Sequence, residues 1–532
     1  MKTSYMLAVD AGTGSGRAVI FDENGNQIAS AQHEWWHRAD PRFPGSMDFD
    51  VEGNWSLLSR AIRQAIAESR IAPAEIRAVS ATSMREAIVA YDRSGREIWA
   101  CANVDSRAVS EVRDLQRDFA DLERALYTES GQTFALGALP RLLWLKRNLP
   151  DVYARIHKIS MLSDWVLARL SGVIASDPSN AGTTGLYSLT KRDWMPEALS
   201  KAGMRDDIFP ESVEPGTVIG RVTEKAASET GIAVGTPVVM GGGDCQSGAA
   251  AVGVVNEGDC AVLGGTFWQQ VVNVGPSVSD PSMDLRINPH VVNGLNQAEA
   301  ISFFVGMVMR WFRDSFGAEE VAAAGPGGDA YRLLEEKAAG VPVGAYGIIP
   351  VFSDVMHYGN WYHAAPSLLN LSIDPEKSGK AAIFRALQEN AAIVAARNLS
   401  AIFKLSGKTP DKIVFAAGAS KSAHWSQILA DATGLPVVTP VVKEATALGC
   451  AQRRQSGSAY AATSSRRRRA GCAGTSVSSR ISTTRLSTTR RASAGHAPTR
   501  CSDSSWTRAS PRPCGRRQVS EFYRSVNQHS RN

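Results

Sequence analysis

Ala8-Val9-Asp10-Ala11-Gly12-Thr13 and Ala261-Val262-Leu263-Gly264-Gly265-Thr266 are near copies of each other, and each lies at the centre of a strand, turn, strand pattern. Met6-Leu7-Ala8-Val9 leads into the first turn and Arg17-Ala18-Val19-Ile20-Phe21 follows it. Cys260 to Leu263 lead into the second, and Gln270-Val271-Val272 follow. Apolar β-formers on both sides of a glycine turn predict a hairpin. Glycine lets the backbone come close enough for its N–H groups to grip an anion, and the adjacent Thr or Ser adds a hydroxyl donor. No Gly-Lys-Ser/Thr follows the glycines, which excludes the P-loop. A strand rather than a helix follows, which excludes the dinucleotide fingerprint. Two such hairpins predict two similar domains facing one nucleotide.

The length of 532 residues allows two or three domains with real cores, and 44% hydrophobic with 21% charged residues is ordinary for a globular enzyme. No apolar run is long enough to span a bilayer, and the first strand begins too early to leave room for a signal peptide, so the expected location is the cytoplasm, with no membrane partner. Cys101, Cys245, Cys260, Cys450, Cys472, Cys501 and Cys514 have no paired spacing and read as reduced thiols rather than a zinc site or disulfide framework. The net charge of +6 conceals two unlike regions. Residues 452–532 hold 17 Arg, no Lys, Asp503 and Glu521, a sum of +15, which leaves −9 for residues 1–451. The acidic body gives no reason to expect a nucleic-acid partner.

Residues 1–250 alternate strand and helix patterns. A helix is expected over 50–69, with Asp50 as N-cap and Trp55, Leu58, Ile62 and Ile66 on one face, and a buried strand over 76–82. Further helices are expected over 140–149 and 164–170, and a long polar loop over 177–185. After an apolar strand over 237–240 comes Gly241-Gly242-Gly243-Asp244. The second half continues with helices over 304–316 and 380–405 and a strand over 412–416. Ala417-Gly418-Ala419-Ser420-Lys421-Ser422 then makes an anion-friendly turn before a helix. A last helix is expected from Glu444 to Ala451. Beyond it no periodicity could bury a core, and disorder is expected.

Asp244, exposed after three glycines, suits a general base: phosphoryl transfer needs a proton acceptor for the attacking hydroxyl and donors that hold the phosphates in line. Arg85-Glu86 falls at a strand end, where open sheets place ligands; Arg can donate two bonds to substrate oxygens while Glu accepts from a hydroxyl. A surface salt bridge is the plainer reading of this pair and of Asp105-Ser106-Arg107. His290 could bond a substrate or be structural. Met307, Met309, Trp311 and Phe312 read as helix core.

Taken together, these motifs resemble the FGGY family of carbohydrate kinases, within the actin-like ATPase superfamily, from about residue 5 to residue 451. Asp10-Ala11-Gly12-Thr13-Gly14-Ser15 is similar to its first phosphate loop, Gly264-Gly265-Thr266 to its second, Arg85-Glu86 to its sugar-binding pair and Gly243-Asp244 to its catalytic Gly-Asp. Residues 418–422 are similar to its adenine-side turn. The resemblance implies an α/β fold of two actin-like, ribonuclease H-like domains around a central cleft. The N-terminal domain (1–250) would carry substrate and first phosphate loop, and the C-terminal domain (251–451) would bind ATP. It implies Asp244 as base and Arg85, Glu86, Asp105 and Gln246 on the substrate. Asp10, Gly12, Thr13, Ser15, Gly265, Thr266, Gly306, Gly418 and Ser422 would lie on ATP, with Asp10 holding Mg2+ through water.

Longer stretches, among them Pro44-Gly45-Ser46-Met47, Trp99-Ala100-Cys101-Ala102-Asn103-Val104-Asp105, Asn288-Pro289-His290 and Trp361-Tyr362-His363-Ala364-Ala365-Pro366, resemble one branch of the family that phosphorylates a small open-chain dihydroxy-diketone. Another sugar or polyol kinase, such as one for a ketopentose, is the alternative. The resemblance stops at Ala451, where Gln452-Arg453-Arg454 opens a run that reads like a GC-rich gene out of frame. An altered C-terminus would truncate the second domain, and the chain could then bind ligand without turnover, or bind nucleic acid through the tail.

Overall fold

The computed structural model describes residues 4–135, 137–352, 367–440 and 476–478. The expected helix from Glu444 to Ala451, residues 361–366 and all but three residues of the tail lie outside them.

The first sheet is laid down by β1 (Tyr5–Ala11), β2 (Ser15–Asp22) and β3 (Gln27–Glu34), an antiparallel meander. Helix α1 (Val51–Ser69) then carries the chain back to β4 (Ile76–Ser83), which lies parallel to β1. Asp50 caps α1, its carboxylate accepting from Gly53 N–H at 2.9 Å, and Trp55, Leu58, Ile62 and Ile66 are buried as their spacing requires. Each fully buried Leu or Ile contributes roughly 1.5–3 kcal/mol. Far along the chain, β5 (Val218–Arg221) and β6 (Pro237–Gly243) complete the sheet in the order β5-β6-β4-β1-β2-β3.

Helix α2 (Asp244–Ala251) leads out of β6. The second sheet repeats the first. β7 (Cys260–Gly264), β8 (Trp268–Val274), β9 (Arg286–Pro289) and β10 (Asn296–Ser302) form the antiparallel part. After α3 (Val305–Phe316) and the long α4 (Lys380–Ser406), β11 (Ile413–Ala416) returns parallel to β7; α5 (Ala423–Thr433) then leads to β12 (Val437–Thr439), parallel to β11. The order is β9-β10-β8-β7-β11-β12-β13, where β13 (Ser476–Ser478) pairs antiparallel with β12. These three tail residues alternate Ser-Val-Ser and cover what would otherwise be an open strand edge.

Each sheet packs on its own apolar core. One gathers Leu7, Val9, Leu58, Val79 and Trp165; the other gathers Val262, Trp268, Phe312, Phe384 and Phe415. A third core, around Leu139, Trp144, Ile159 and Tyr187, sits under a small antiparallel sheet of Ile88–Tyr91, Glu97–Cys101 and Lys158–Met161. The parallel strands β1, β4, β6, β7 and β11 end at Ala11, Ser83, Gly243, Gly264 and Ala416, and the two phosphate hairpins, Arg85-Glu86, Asp244 and the turn at Gly418 follow these ends.

Three expectations need correction. Residues 177–185 are not a loop: Pro178–Ala181 is helical, Gly182–Thr184 is a 3-10 turn, and all are buried. The Ser179 hydroxyl and the Asn180 amide donate to the Asp177 carboxylate, Asn180 also donates to the Ser163 hydroxyl, and the Thr183 and Thr184 hydroxyls donate to the Asn180 and Ala181 carbonyls. Of the four α3 residues expected in the core, Met309 and Phe312 are buried, while Met307 and Trp311 are 49% and 42% exposed. The glycines 241–243 belong to β6 itself, with a register shift between Val239 and Gly242.

Candidate active site

The first hairpin is closed by Gly12 N–H donating to the Ser15 carbonyl at 2.9 Å. Its tip carbonyls all face inward. Trp35 Nε1 donates to the carbonyls of Gly12 and Thr13 at 3.1 and 3.2 Å, His37 Nε2 to that of Thr13 at 2.6 Å, and Trp35 N–H to that of Gly14 at 3.1 Å. In a planar trans peptide C=O and the next N–H point opposite ways, so the N–H groups of Thr13, Gly14 and Ser15 are turned outward. Thr13 and Gly14 are exposed, and Thr13 Oγ1 accepts from Asn103 Nδ2 at 3.1 Å. Consecutive outward N–H groups of this kind are able to cradle an anion. Asp10, at the end of β1, lies opposite Arg17 and beside Thr82.

The second hairpin is shaped by α3. Gly306 N–H donates to the Thr266 carbonyl at 2.9 Å, and a Cβ on Gly306 would lie 2.6 Å from the Gly265 oxygen and 2.9 Å from Thr266 Cα. Only glycine permits that approach. Gly265 and Thr266 are exposed. Gly264 lies against Ala419 and the Phe415 ring, so the hairpin touches the turn after β11, where Gly418 comes near the Gly264 carbonyl. Ser422 is nearly buried; its hydroxyl caps α5 by accepting from Trp425 N–H at 2.9 Å.

Asp244 opens α2. Its carboxylate accepts from Cys245 N–H at 2.7 Å and keeps 36% of its side-chain surface open. Burial pushes its carboxyl up to about 6, with the Arg85 guanidinium pulling the other way. A carboxylate near 6 is ionised at neutral pH and still basic enough to take a proton. Gly241 can lie there only without a side chain, since a Cβ would fall on the Ala81 carbonyl. Gly243 N–H donates to Ser179 Oγ at 2.9 Å, which is itself bonded to Asp177; the buried 177–185 segment therefore supports the turn.

Arg85 and Glu86 do follow β4, but they are not a surface pair. Arg85 is 5% exposed and forks onto Glu299, Nη1 to Oε2 at 2.6 Å and Nη2 to Oε1 at 2.7 Å, with Glu299 fully buried on β10. Burial pushes the Glu299 carboxyl up, but the Arg85 guanidinium more than offsets this and holds it below its ordinary value. Glu86 is ion-paired to Arg286 of β9, and its backbone carbonyl accepts from Arg141. Glu86 sits at φ 64, a left-handed conformation that a non-glycine residue adopts only when its surroundings impose it.

The structure thus brings Asp244, Arg85, Glu86 and Gln246 together. Gln246 is fully buried one turn into α2, with neither amide atom bonded, and a Cβ on Gly243 would lie 2.8 Å from its Oε1. Asp105 is elsewhere engaged: its enclosed carboxylate accepts from Met47 N–H at 2.7 Å and Arg107 Nε at 2.8 Å. His290 is buried, Nδ1 accepting from Val292 N–H at 3.0 Å. Sequence reasoning missed Glu299, Arg286, Arg141, Trp35 and His37. Glu299 and Arg286 lie in short strands buried on both faces, where no alternation marks a functional side chain. Among the described residues no cluster of three or more His, Cys, Asp or Glu could hold a metal, and no helix is long and apolar enough to cross a membrane.

Solved structures share this architecture. Xylulose kinase from Lactobacillus acidophilus superposes with a TM-score of 0.79 at 19% identity, over 92% of this chain and 96% of that one. Plasmodium falciparum glycerol kinase with ADP gives 0.78 at 18% identity, over 92% and 96%. Among curated proteins, the autoinducer-2 kinases of Klebsiella pneumoniae and Yersinia enterocolitica are each 58% identical over 451 residues, 84% of this chain and 85% of theirs. The model of the FGGY carbohydrate kinase N-terminal domain matches residues 5–253, and that of the C-terminal domain matches 278–453. With both domain models matched in order over a duplicated fold whose glycine hairpins face the strand ends, the chain belongs to the FGGY family of carbohydrate kinases.

Proposed function

We propose that the chain is an autoinducer-2 kinase, transferring the γ-phosphate of ATP to the terminal hydroxyl of open-chain 4,5-dihydroxy-2,3-pentanedione. One observation carries the choice of substrate: 58% identity to kinases of that name over 84% of the chain, against about 20% for the sugar kinases of like fold. Halves 1–250 and 251–451 act as two domains around the ligands. The outward N–H groups of 13–15 and the hairpin at Gly265 and Thr266 grip the phosphates, and the turn at Gly418 borders the adenine. Ser422 acts there as a helix cap. Arg85, Glu86 and the unbonded amide of Gln246 orient the acceptor, Asp105 serves through the loop it ties down, and Asp244 takes the proton of the attacking hydroxyl. Mg2+ carried in on ATP would be held chiefly by the phosphates, with the Asp10 carboxylate as its protein partner, and would neutralise phosphate charge.

Residues 452–532 are read as a frameshift product, since the similarity spans 451 residues and the charge changes sign there. Coupled measurement of ADP release with the dihydroxy-pentanedione against glycerol, xylulose and gluconate tests the substrate. Preference for xylulose would assign the chain to ketopentose phosphorylation instead.

A further inference from the structure

Five charged side chains meet around Asp244, and their pairing is lopsided. Arg85 and Glu86 come from the end of β4, Arg286 and Glu299 from β9 and β10, and Asp244 from α2. Arg286 and Glu299 are direct cross-strand partners in register, where opposite charges ordinarily bond each other. Here each also reaches out of its own sheet, Glu299 to Arg85 and Arg286 to Glu86, while Arg286 Nε donates to Gln132 Oε1 at 3.0 Å and its charge helps to hold the Glu299 carboxyl down. The bidentate fork engages one N–H of each terminal nitrogen of Arg85 and turns that edge of the guanidinium to Glu299, so its nearest approach to Asp244 is through Nε, at 3.5 Å, beyond ordinary hydrogen-bond length.

We propose that Glu299 and Arg286 are positioning residues for phosphoryl transfer: Glu299 holds the Arg85 guanidinium off Asp244 so that this carboxylate stays free as base, and Arg286 holds Glu86 in its acceptor-binding pose. The inference rests on the reading of Asp244 as base and of Arg85 and Glu86 as substrate ligands. A guanidinium cannot shed its charge, and one buried without a partner is costly. Deprived of Glu299, Arg85 has Asp244 as its nearest carboxylate and turns onto it. A carboxylate clamped by Arg is a weaker base. The other groups facing Asp244 act consistently: the negative charges of Glu86 and Glu299 raise its carboxyl, Arg85 lowers it, and the adjacent Cys245 thiol is kept neutral by burial.

The test compares Glu299→Gln and Arg286→Gln in the full chain. Two readouts are taken: the pH profile of kcat, and the 13C carboxyl titration of Asp244 in aspartate-labelled protein, assigned with Asp244→Asn. Glu299→Gln should move the acid-side midpoint down by about one pH unit and lower kcat about tenfold at neutral pH, with KM for ATP little changed. Arg286→Gln removes a positive charge and frees Glu86, so it should move the midpoint up and raise KM for the acceptor. Glu299→Asp, which keeps the charge, should return the midpoint toward that of the unaltered chain. Midpoints that stay put in both Gln variants, or move the same way, overturn the proposal. If Glu299→Gln does not fold, an unmoved midpoint in Arg286→Gln alone overturns it. The titration needs no turnover, so a chain without kinase activity refutes the functional reading while the titration still decides this one.

Discussion

Gly306→Ala adds a single methyl where α3 meets the second hairpin. The new Cβ would lie 2.6 Å from the Gly265 oxygen, roughly 0.7 Å inside an ordinary carbon–oxygen contact. The obstacle is backbone, with no rotamer to swing aside, so the hairpin must retreat by about that distance. The retreat stretches the 2.9 Å bond from Gly306 N–H to the Thr266 carbonyl, worth about 1 kcal/mol. Overpacking adds about 1–3 kcal/mol, offset by up to about 1 kcal/mol of gained helix propensity. The net loss of stability should be about 1–3 kcal/mol, measured by urea unfolding. The larger effect should be on ATP, because a phosphate cradle misplaced by about 1 Å costs on the order of a hundredfold in rate. Steady-state kinetics with ATP varied should show kcat/KM down about 10- to 100-fold, while calorimetric binding of the acceptor is unchanged. ATP kinetics equal to the unaltered chain would refute the claim that this glycine shapes the phosphate site.

Asp244→Asn should lower turnover by about two to four orders of magnitude while nucleotide binding, followed by calorimetry, is kept; near-normal turnover would remove Asp244 as base. Because its carboxyl is raised to about 6, the base is protonated below that pH, and kcat of the unaltered chain should fall as pH drops through about 6 and hold level above it. Arg85→Ala strands the buried Glu299 charge and should destabilise by about 3–5 kcal/mol as well as weaken the acceptor, whereas Thr266→Ala should impair ATP and leave stability nearly unchanged. Sequencing of the gene should find, past codon 451 in an adjacent frame, Ala, Gly, Val and Leu at helical spacing; a confirmed frame with no such continuation contradicts the frameshift reading.

The residues that terminate strands were the most legible. Gly12-Thr13, Arg85-Glu86, Gly243-Asp244, Gly265-Thr266 and Gly418 each stand at a punctuation mark between two apolar patterns, and each proved to sit at a parallel-strand end. The duplication was readable because both hairpins have the same local chemistry. What stayed hidden was long-range pairing. Nothing near Arg85 in sequence announces Glu299, 214 positions away, and a Glu in a strand buried on both faces looks like an error of pattern until its partner is known. Residues 177–185 misled for a related reason: Asp, Ser, Asn and Thr favour water-exposed turns, but here the Asp177 carboxylate and nearby carbonyls and hydroxyls take up most of their donors inside the protein.

The crossed charges joining β4 to β9 and β10 also bear on how such genes can recombine. Exchanging the C-terminal half for one that lacks Arg286 and Glu299 would leave Arg85 and Glu86 without their partners, burying two unmatched charges at once. Inheritance at Arg85, Glu86, Arg286 and Glu299 is therefore collective. Substitutions there are least costly when they arrive together or through a compensated intermediate, and a crossover between the two halves is least disruptive when the incoming half keeps the matching charges.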